Sequence, residues 1–384
     1  MALCPQCEAQ LQVEAPACPR CHADFTAPDG WRPFPVDDEE RAKFASRFGS
    51  RQTFPPSSGA AGESWAGVFT LTFIALCAGA GYGIFAHQLF QAFFSSVDGK
   101  HSGLMLASFL GGVPVLVGAI AVMLTPRRLR PAGSIVTSVL PLLFFVFIAG
   151  AFLREGMICI LMALPIFLVL AGIGGLLSMM VKAVAGDKGP KLLGVAAFAP
   201  FLLATGEAEL EPPVRTGEVR ASVHILAPPA TVWRHIEFPL AIDPAELRPG
   251  WAYRMGVPYP VEARTIEPRL GGKRELVWQR GVRFQEEITR YEPERVIAWR
   301  YLFDERSFPP GSLDEHIVLG GRYFDLGETS YVLTPEAGGT RLDIVVAYRV
   351  STTFNWYADA WARFLLEDTA QAILGFYRRR SERT

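Results

Sequence analysis

The chain is 384 residues long, half of them apolar and a fifth charged, and its formal net charge of −1 excludes a general basic field for nucleic acid. Length alone allows two or three domains. Nearly all the charge lies before residue 63 or after residue 206, so the average conceals an apolar block with a polar region on either side.

Of the six cysteines, Cys4, Cys7, Cys18 and Cys21 crowd the N-terminus, whereas Cys77 and Cys159 lie inside apolar stretches. Cys4-Pro-Gln-Cys7 and Cys18-Pro-Arg-Cys21 are C-x-x-C pairs ten residues apart. At that spacing four thiolates converge on one Zn²⁺, and the segment from Glu8 to Ala17 suits a short hairpin between them. His22 is a bystander, because four sulfurs already close the site. So short a segment cannot bury a core, and metal binding supplies its folding free energy. Roughly residues 3 to 26 resemble the zinc-ribbon modules often found at the N-terminus of bacterial membrane proteins, and the ribbon is expected over residues 1–28. That resemblance implies a closed structural site without catalysis, open to a protein partner; no nucleic acid is expected there. Residues 29–63 read as a linker with a helix from Asp37 to Phe48, lying on an anionic membrane surface or simply solvated. No basic segment precedes an apolar one at the N-terminus, so no cleavable signal peptide is expected and the first span targets the chain.

Residues 64–205 form the membrane region. Trp65 to Phe94, Leu104 to Leu124, Ile135 to Leu153 and Ile158 to Val184 are each long and apolar enough to cross a bilayer as a helix. Leu192 to Ala204 is shorter and carries Pro200. Arg41, Lys43, Arg47 and Arg51 precede the first span, Arg127, Arg128 and Arg130 join the second to the third, and Lys182, Lys188 and Lys191 follow the fourth. This distribution predicts a multi-pass protein of the inner cell membrane with a cytoplasmic N-terminus. If Leu192 to Ala204 crosses, the C-terminal domain is extracytoplasmic, which hydrophobicity favours; if it lies in the interface, the domain is cytoplasmic. Gly79-x-x-x-Gly83 and Ala171-x-x-x-Gly175 are small-residue packing seams. His87, Gln88 and Gln91 are the polar groups a transporter would need, but an anchor and packing scaffold is the stronger reading.

After an acidic linker, residues 206–217, the periodicity changes to that of strands. Val219, Ala221, Val223 and Ile225 alternate on one face of a strand from Glu218 to Ala227, and Pro228-Pro229 opens a short helix. Further strands are expected at Val261 to Glu267, Arg274 to Gln279, Val282 to Tyr291, Arg295 to Phe303, Glu328 to Thr334 and Arg341 to Val350, followed by an amphipathic helix from Asn355 to Arg380. Glu286 shares parity with Phe284 and Ile288, and Arg300 with Val296, Ala298 and Leu302. On apolar faces the two either pair with each other, grip a polar head group, or are solvated. The opposite face of that strand carries Ile297, Trp299, Tyr301 and Phe303, which are expected to meet the bilayer or the membrane region.

The order of elements resembles the START-like helix-grip (SRPBCC) superfamily, which includes lipid-transfer START domains and polyketide cyclases. Carrying the resemblance are Val223-His-Ile-Leu-Ala-Pro-Pro-Ala-Thr-Val-Trp233, Ile288-Thr-Arg-Tyr-Glu-Pro-Glu-Arg-Val-Ile-Ala-Trp299 and Gly339-Thr-Arg-Leu, within residues 218–384. It implies an antiparallel sheet wrapped on the C-terminal helix, with a cavity between them for an apolar or amphipathic ligand. Glu286, Arg300, Tyr348, Trp361 and Leu365 are the candidate ligand-binding residues. Among the histidines, His316 beside Asp314 and Glu315 is the acid–base candidate, although such a loop histidine is more often merely solvated.

The expected architecture is therefore multi-domain: a zinc ribbon, an α-helical transmembrane bundle and an α+β helix-grip domain. The expected function is binding, sensing or transfer of a lipid or other hydrophobic small molecule at the membrane. A START-fold enzyme of the cyclase or hydrolase kind, or a membrane scaffold without ligand, are the alternatives.

Overall fold

The computed structural model describes residues 2–7, 9–12, 15–26, 32–33, 65–95, 102–125, 131–152, 156–185, 189–247, 250–313 and 318–383. The helix expected from Asp37 to Phe48, and His316 with its acidic neighbours, lie outside them. The chain divides into two units, Met1–Thr70 and Leu71–Thr384.

In the first unit, β1 (Ala2–Leu3) pairs antiparallel with β2 (Gln10–Leu11). Cys4 N–H donates to Ala9 O and Cys18 N–H to Ala23 O, both at 2.9 Å, so the two C-x-x-C turns repeat one hydrogen-bonding pattern. His22, with φ 58°, reverses the chain after the second turn, and its place there is conformational. Ala2, Leu11 and Phe25 bury themselves against Cys4 and Cys18.

The apolar helices follow, the first of them starting within the first unit. α1 (Trp65–Phe94) is continuous. The second apolar segment is not the single helix its composition suggests. A 3₁₀ turn (Gly103–Met105) and a π-helical turn (Ser108–Gly112) precede α2 (Val113–Leu124). Pro114 explains the change of pitch, since it offers no N–H to the turn before it and its ring crowds that turn. α3 (Pro131–Phe152) and α4 (Met157–Ala185) follow, each carrying an interior proline without breaking. The last segment divides into α5 (Gly189–Ala196) and α6 (Ala199–Glu207) just before Pro200, and the Tyr82 hydroxyl donates 2.8 Å to the carbonyl of Ala197 at the break.

Among the described residues, four helical stretches are long and apolar enough to cross a membrane, Phe69–Phe94, Ile135–Phe152, Met157–Ala185 and Gly189–Glu207, and Ser108–Leu124 is a shorter apolar one. Their outward faces carry exposed Phe73, Phe147, Val169, Met180 and Leu202, the inverse of a water-soluble bundle. Small residues let the backbones approach. A Cβ on Gly118 would strike the carbonyl of Ala171, and one on Gly174 the carbonyl of Val115, while Gly79 and Gly83 lie against Val117 and the ring of Phe145. Both seams expected from sequence therefore lie at contacts between helices. Lys182 closes one end of the bundle, donating to the carbonyls of Val122 and Thr125 just past α2.

The remaining chain forms a seven-stranded antiparallel sheet with the order β3-β9-β8-β7-β6-β5-β4. The strands are β3 (Val214–Ile225), β4 (Pro260–Thr265), β5 (Lys273–Trp278), β6 (Arg283–Glu292), β7 (Val296–Leu302), β8 (Phe324–Glu336) and β9 (Gly339–Ser351). α7 (Pro229–Glu237) and the single turn α8 (Trp251–Arg254) lie between β3 and β4. α9 (Asn355–Ser381) packs across the sheet: Ala370, Leu374, Phe376 and Tyr377 share a core with Trp233, Ile288, Trp299, Tyr331 and Ile344. Leu342, Ile344, Tyr348 and Val350 are buried along one face of β9, as alternation predicts, with Val346 half-buried between them.

Candidate functional site

A cavity of about 370 Å³ lies between the sheet and α9 and continues into the apolar bundle. On the domain side its wall includes Arg274, Trp278, Phe284, Glu286, Trp299, Tyr301, Thr329, Tyr331, Leu365 and Tyr377; on the bundle side it includes His87, Phe109, Phe145, Ala149, Ile158 and Met162.

The wall is almost wholly apolar, and its principal polar feature follows from strand register. Arg274 of β5 stands opposite Glu286 of β6, so both side chains emerge on the inner face. Arg274 Nη1 donates to Glu286 Oε2 at 3.0 Å, and the two side chains are only 3% and 2% exposed. Its Nη2 donates to the carbonyl of Ile236 at 3.0 Å, and the guanidinium lies 4.5 Å from the centre of the Trp299 ring. Among the described residues no acceptor meets Arg274 Nε. Burial pushes the Glu286 carboxyl up to about 7 against the opposing pull of Arg274. Tyr301 exchanges a 2.8 Å hydrogen bond with Thr329 beside this pair, and burial raises the tyrosine as well.

The candidate residues named from sequence separate. Glu286 and Leu365 line the cavity. Arg300 does not: register sets it opposite Glu287, and on the outer face it pairs with that carboxylate at 2.8 Å with 60% of its side chain exposed. Tyr348 is buried but turned to another task, donating 2.6 Å to Asp359, which also pairs with Arg215 at 3.0 Å. Trp361 is half-buried against Tyr357 and Phe364, away from the cavity wall. The expectation that Trp299 and Tyr301 face the bilayer or the membrane region is overturned. Trp299 is 3% exposed and both line the cavity between the sheet and α9, because α9 covers that face of β7. Arg274 was the residue missed. Its signal was parity with Leu276 and Trp278, the same test that singled out Glu286.

Hydrogen bonds tie the domain to the bundle where the cavity passes between them. Ser102 N–H donates 2.8 Å to the Tyr323 hydroxyl, and the Tyr357 hydroxyl donates to the carbonyl of Met162 in α4. Glu207, at the end of α6, accepts from the N–H groups of Ala107 and Ser108 at 2.6 and 2.8 Å and from the Thr353 hydroxyl at 3.0 Å. It thus caps the second apolar segment and holds the domain to it.

In the first unit the sulfurs of Cys4, Cys7, Cys18 and Cys21 all lie within 4.8 Å of one another. Cys4 is 3.6 Å from Cys21, and Cys7 is 3.6 Å from Cys18. Tetrahedral coordination with a metal–sulfur bond of about 2.3 Å sets sulfurs about 3.8 Å apart, so the four fit a single ion.

Residues 216–382 match the family described as polyketide cyclase / dehydrase and lipid transport. The C-terminal domain is thus START-like, as its sequence suggested. Among solved structures, a Thermus thermophilus protein is 20% identical, with 43% of this chain and 97% of that one covered and a TM-score of 0.29. A Chromobacterium violaceum protein is 22% identical, covering 40% and 96%, with a TM-score of 0.21. The di-domain ARO/CYC StfQ from the steffimycin biosynthetic pathway is 10% identical over 52% of this chain and 61% of its own, with a TM-score of 0.28. A comparison with curated proteins returns no match.

Proposed function

We propose that this chain is a membrane-anchored receptor that binds, senses or hands on a hydrophobic ligand through its START-like domain. The observation that carries this reading is the apolar cavity with a single buried ion pair in its wall, Arg274–Glu286. Apolar walls supply affinity, and the buried pair supplies orientation. Glu286 and Leu365, with Arg274, Trp299 and Tyr301, are the contact residues on this reading. The cysteine cluster holds structural Zn²⁺, which folds the N-terminal ribbon and offers a surface to a protein partner. The apolar helices cross the inner membrane five times, with the N-terminus cytoplasmic and the C-terminal domain outside.

Mass spectrometry of lipids extracted from the full-length protein purified in detergent tests the function. One ligand recovered at about one per chain, and lost from an Arg274→Leu/Glu286→Leu double variant that still folds, is the expected result. Recovery of only the bulk lipid mixture, unchanged in the variant, overturns it. One feature favours an enzyme instead: a buried carboxyl raised to about 7 in the wall of an apolar cavity is suited to proton transfer. On that reading the Glu286→Gln protein still binds the ligand and no longer converts it.

A further inference from the structure

The cavity is walled by membrane helices as well as by the domain. Its wall runs from Tyr377, late in α9, to Tyr357 in the first turn of that helix. The twenty residues between them span about 30 Å at 1.5 Å per residue. Beyond Tyr357 the wall is Ile158 and Met162 of α4 and then Phe145 of α3. The bonds Ser102–Tyr323, Tyr357–Met162 and Glu207–Thr353 hold the two parts together around this junction. A ligand can therefore move between bundle and domain along an apolar wall.

The polar pair lies far from the junction. Arg274 stacks on Trp299, Trp299 meets Tyr331 edge to face at 4.8 Å, and Tyr331 meets Tyr377 in the same way at 5.8 Å. A cavity of about 370 Å³ lies near the small end of the roughly 300–1,000 Å³ range of ligand pockets, which suits one alkyl chain rather than two. When both are ionised, Arg274 and Glu286 neutralise one another, so a charged head brought to them would leave a net charge in a dry site. A neutral head leaves none, and Arg274 Nε is a donor still to be satisfied.

We propose that the ligand is a membrane-resident amphiphile with one long chain and a small uncharged head, which enters the domain head first through the transmembrane bundle and rests its head on Arg274 and Glu286. This rests on the ligand-binding reading above and adds to it the route and the class of head group.

The test uses the full chain in phosphatidylcholine nanodiscs carrying one of three diazirine-bearing probes: hexadecanol, hexadecanoic acid or phosphatidylcholine. After illumination, labelled peptides are mapped. The hexadecanol probe is expected to label the peptides holding Arg274 and Trp299 more than either of the others does. Ala149→Phe and Ala163→Phe narrow the bundle side of the cavity from two different helices, and each is expected to lower that labelling about ten-fold. Leu161→Phe, on the exposed side of α4, leaves it unchanged. Having two obstructing variants guards against one that fails to fold. Domain labelling that survives in both, once folded, overturns the route but leaves ligand binding standing. Preferential labelling by the acid or by phosphatidylcholine overturns the head class. With no domain labelling by any probe, the binding reading and this inference fall together.

Discussion

Glu286 carries a pH dependence that its strand neighbours do not. In the unfolded chain its carboxyl titrates near 4.5; in the folded domain, burial moves it to about 7. Between these values the native state holds a proton that the unfolded state has released, so this group makes stability fall as pH rises from about 4.5 to about 7. The loss is at most about 3 kcal/mol, taking 1.36 kcal/mol per unit. Glu286→Gln removes the dependence. The midpoint of thermal unfolding of the domain, measured for both proteins in detergent across that range, should show the variant gaining on the wild type as pH rises. A constant difference would mean that the carboxylate stays ionised beside Arg274. Alternation alone put Glu286 on the face of Phe284 and Ile288, because parity is a local property of one strand, and left open whether that face is buried. It did not identify the partner: that depends on which strands neighbour each other and in what register, and Arg300 and Arg274 are equally plausible until β5, β6 and β7 are aligned.

At the level of elements, the apolar helices are held by close backbone approach. A Cβ on Gly174 would overlap the carbonyl of Val115, whereas one on Gly172, two residues earlier in α4, would meet nothing within 4 Å. Gly174→Leu should therefore destabilise the bundle by about 1–3 kcal/mol, and Gly172→Leu should leave it nearly unchanged, read as the unfolding midpoint in one detergent. Equal loss in both would point to helix flexibility rather than packing. The Ala171-x-x-x-Gly175 spacing exposed this seam in the sequence, yet Gly118 and Gly174 became visible only once α2 had been laid against α4. The cysteine cluster, by contrast, was legible residue by residue, because four ligands and two tight turns are local. Chelation should unfold residues 2–26 and leave the melting of the C-terminal domain unchanged, which amide hydrogen exchange on the full chain reports separately for the two regions.

Across the whole molecule, the path of the last apolar segment governs the side on which the ligand domain lies. Hydrophobicity favoured a crossing by Leu192 to Ala204 without deciding it, because thirteen residues fall short of a bilayer. The helical run is longer, Gly189–Glu207. It begins at Gly189, against Met123 and Val181 near the ends of α2 and α4, and finishes at Glu207, bonded to Ala107 and Ser108. The second apolar segment thus has one end beside the start of this run and its other end beside the finish. On the five-crossing reading proposed above, the domain's remaining ties, to Ser102 after α1 and to Met162 near the start of α4, lie where the first and third passages end and the fifth would too. On that reading a cytoplasmic N-terminus puts the domain outside. Arg220, in β3 with 70% of its side chain exposed, is a suitable reporter. In spheroplasts, an Arg220→Cys protein should react with an impermeant maleimide before lysis, and the wild type should not. Reaction only after lysis would put the domain in the cytoplasm and require Gly189–Glu207 to leave the bilayer on the side it entered.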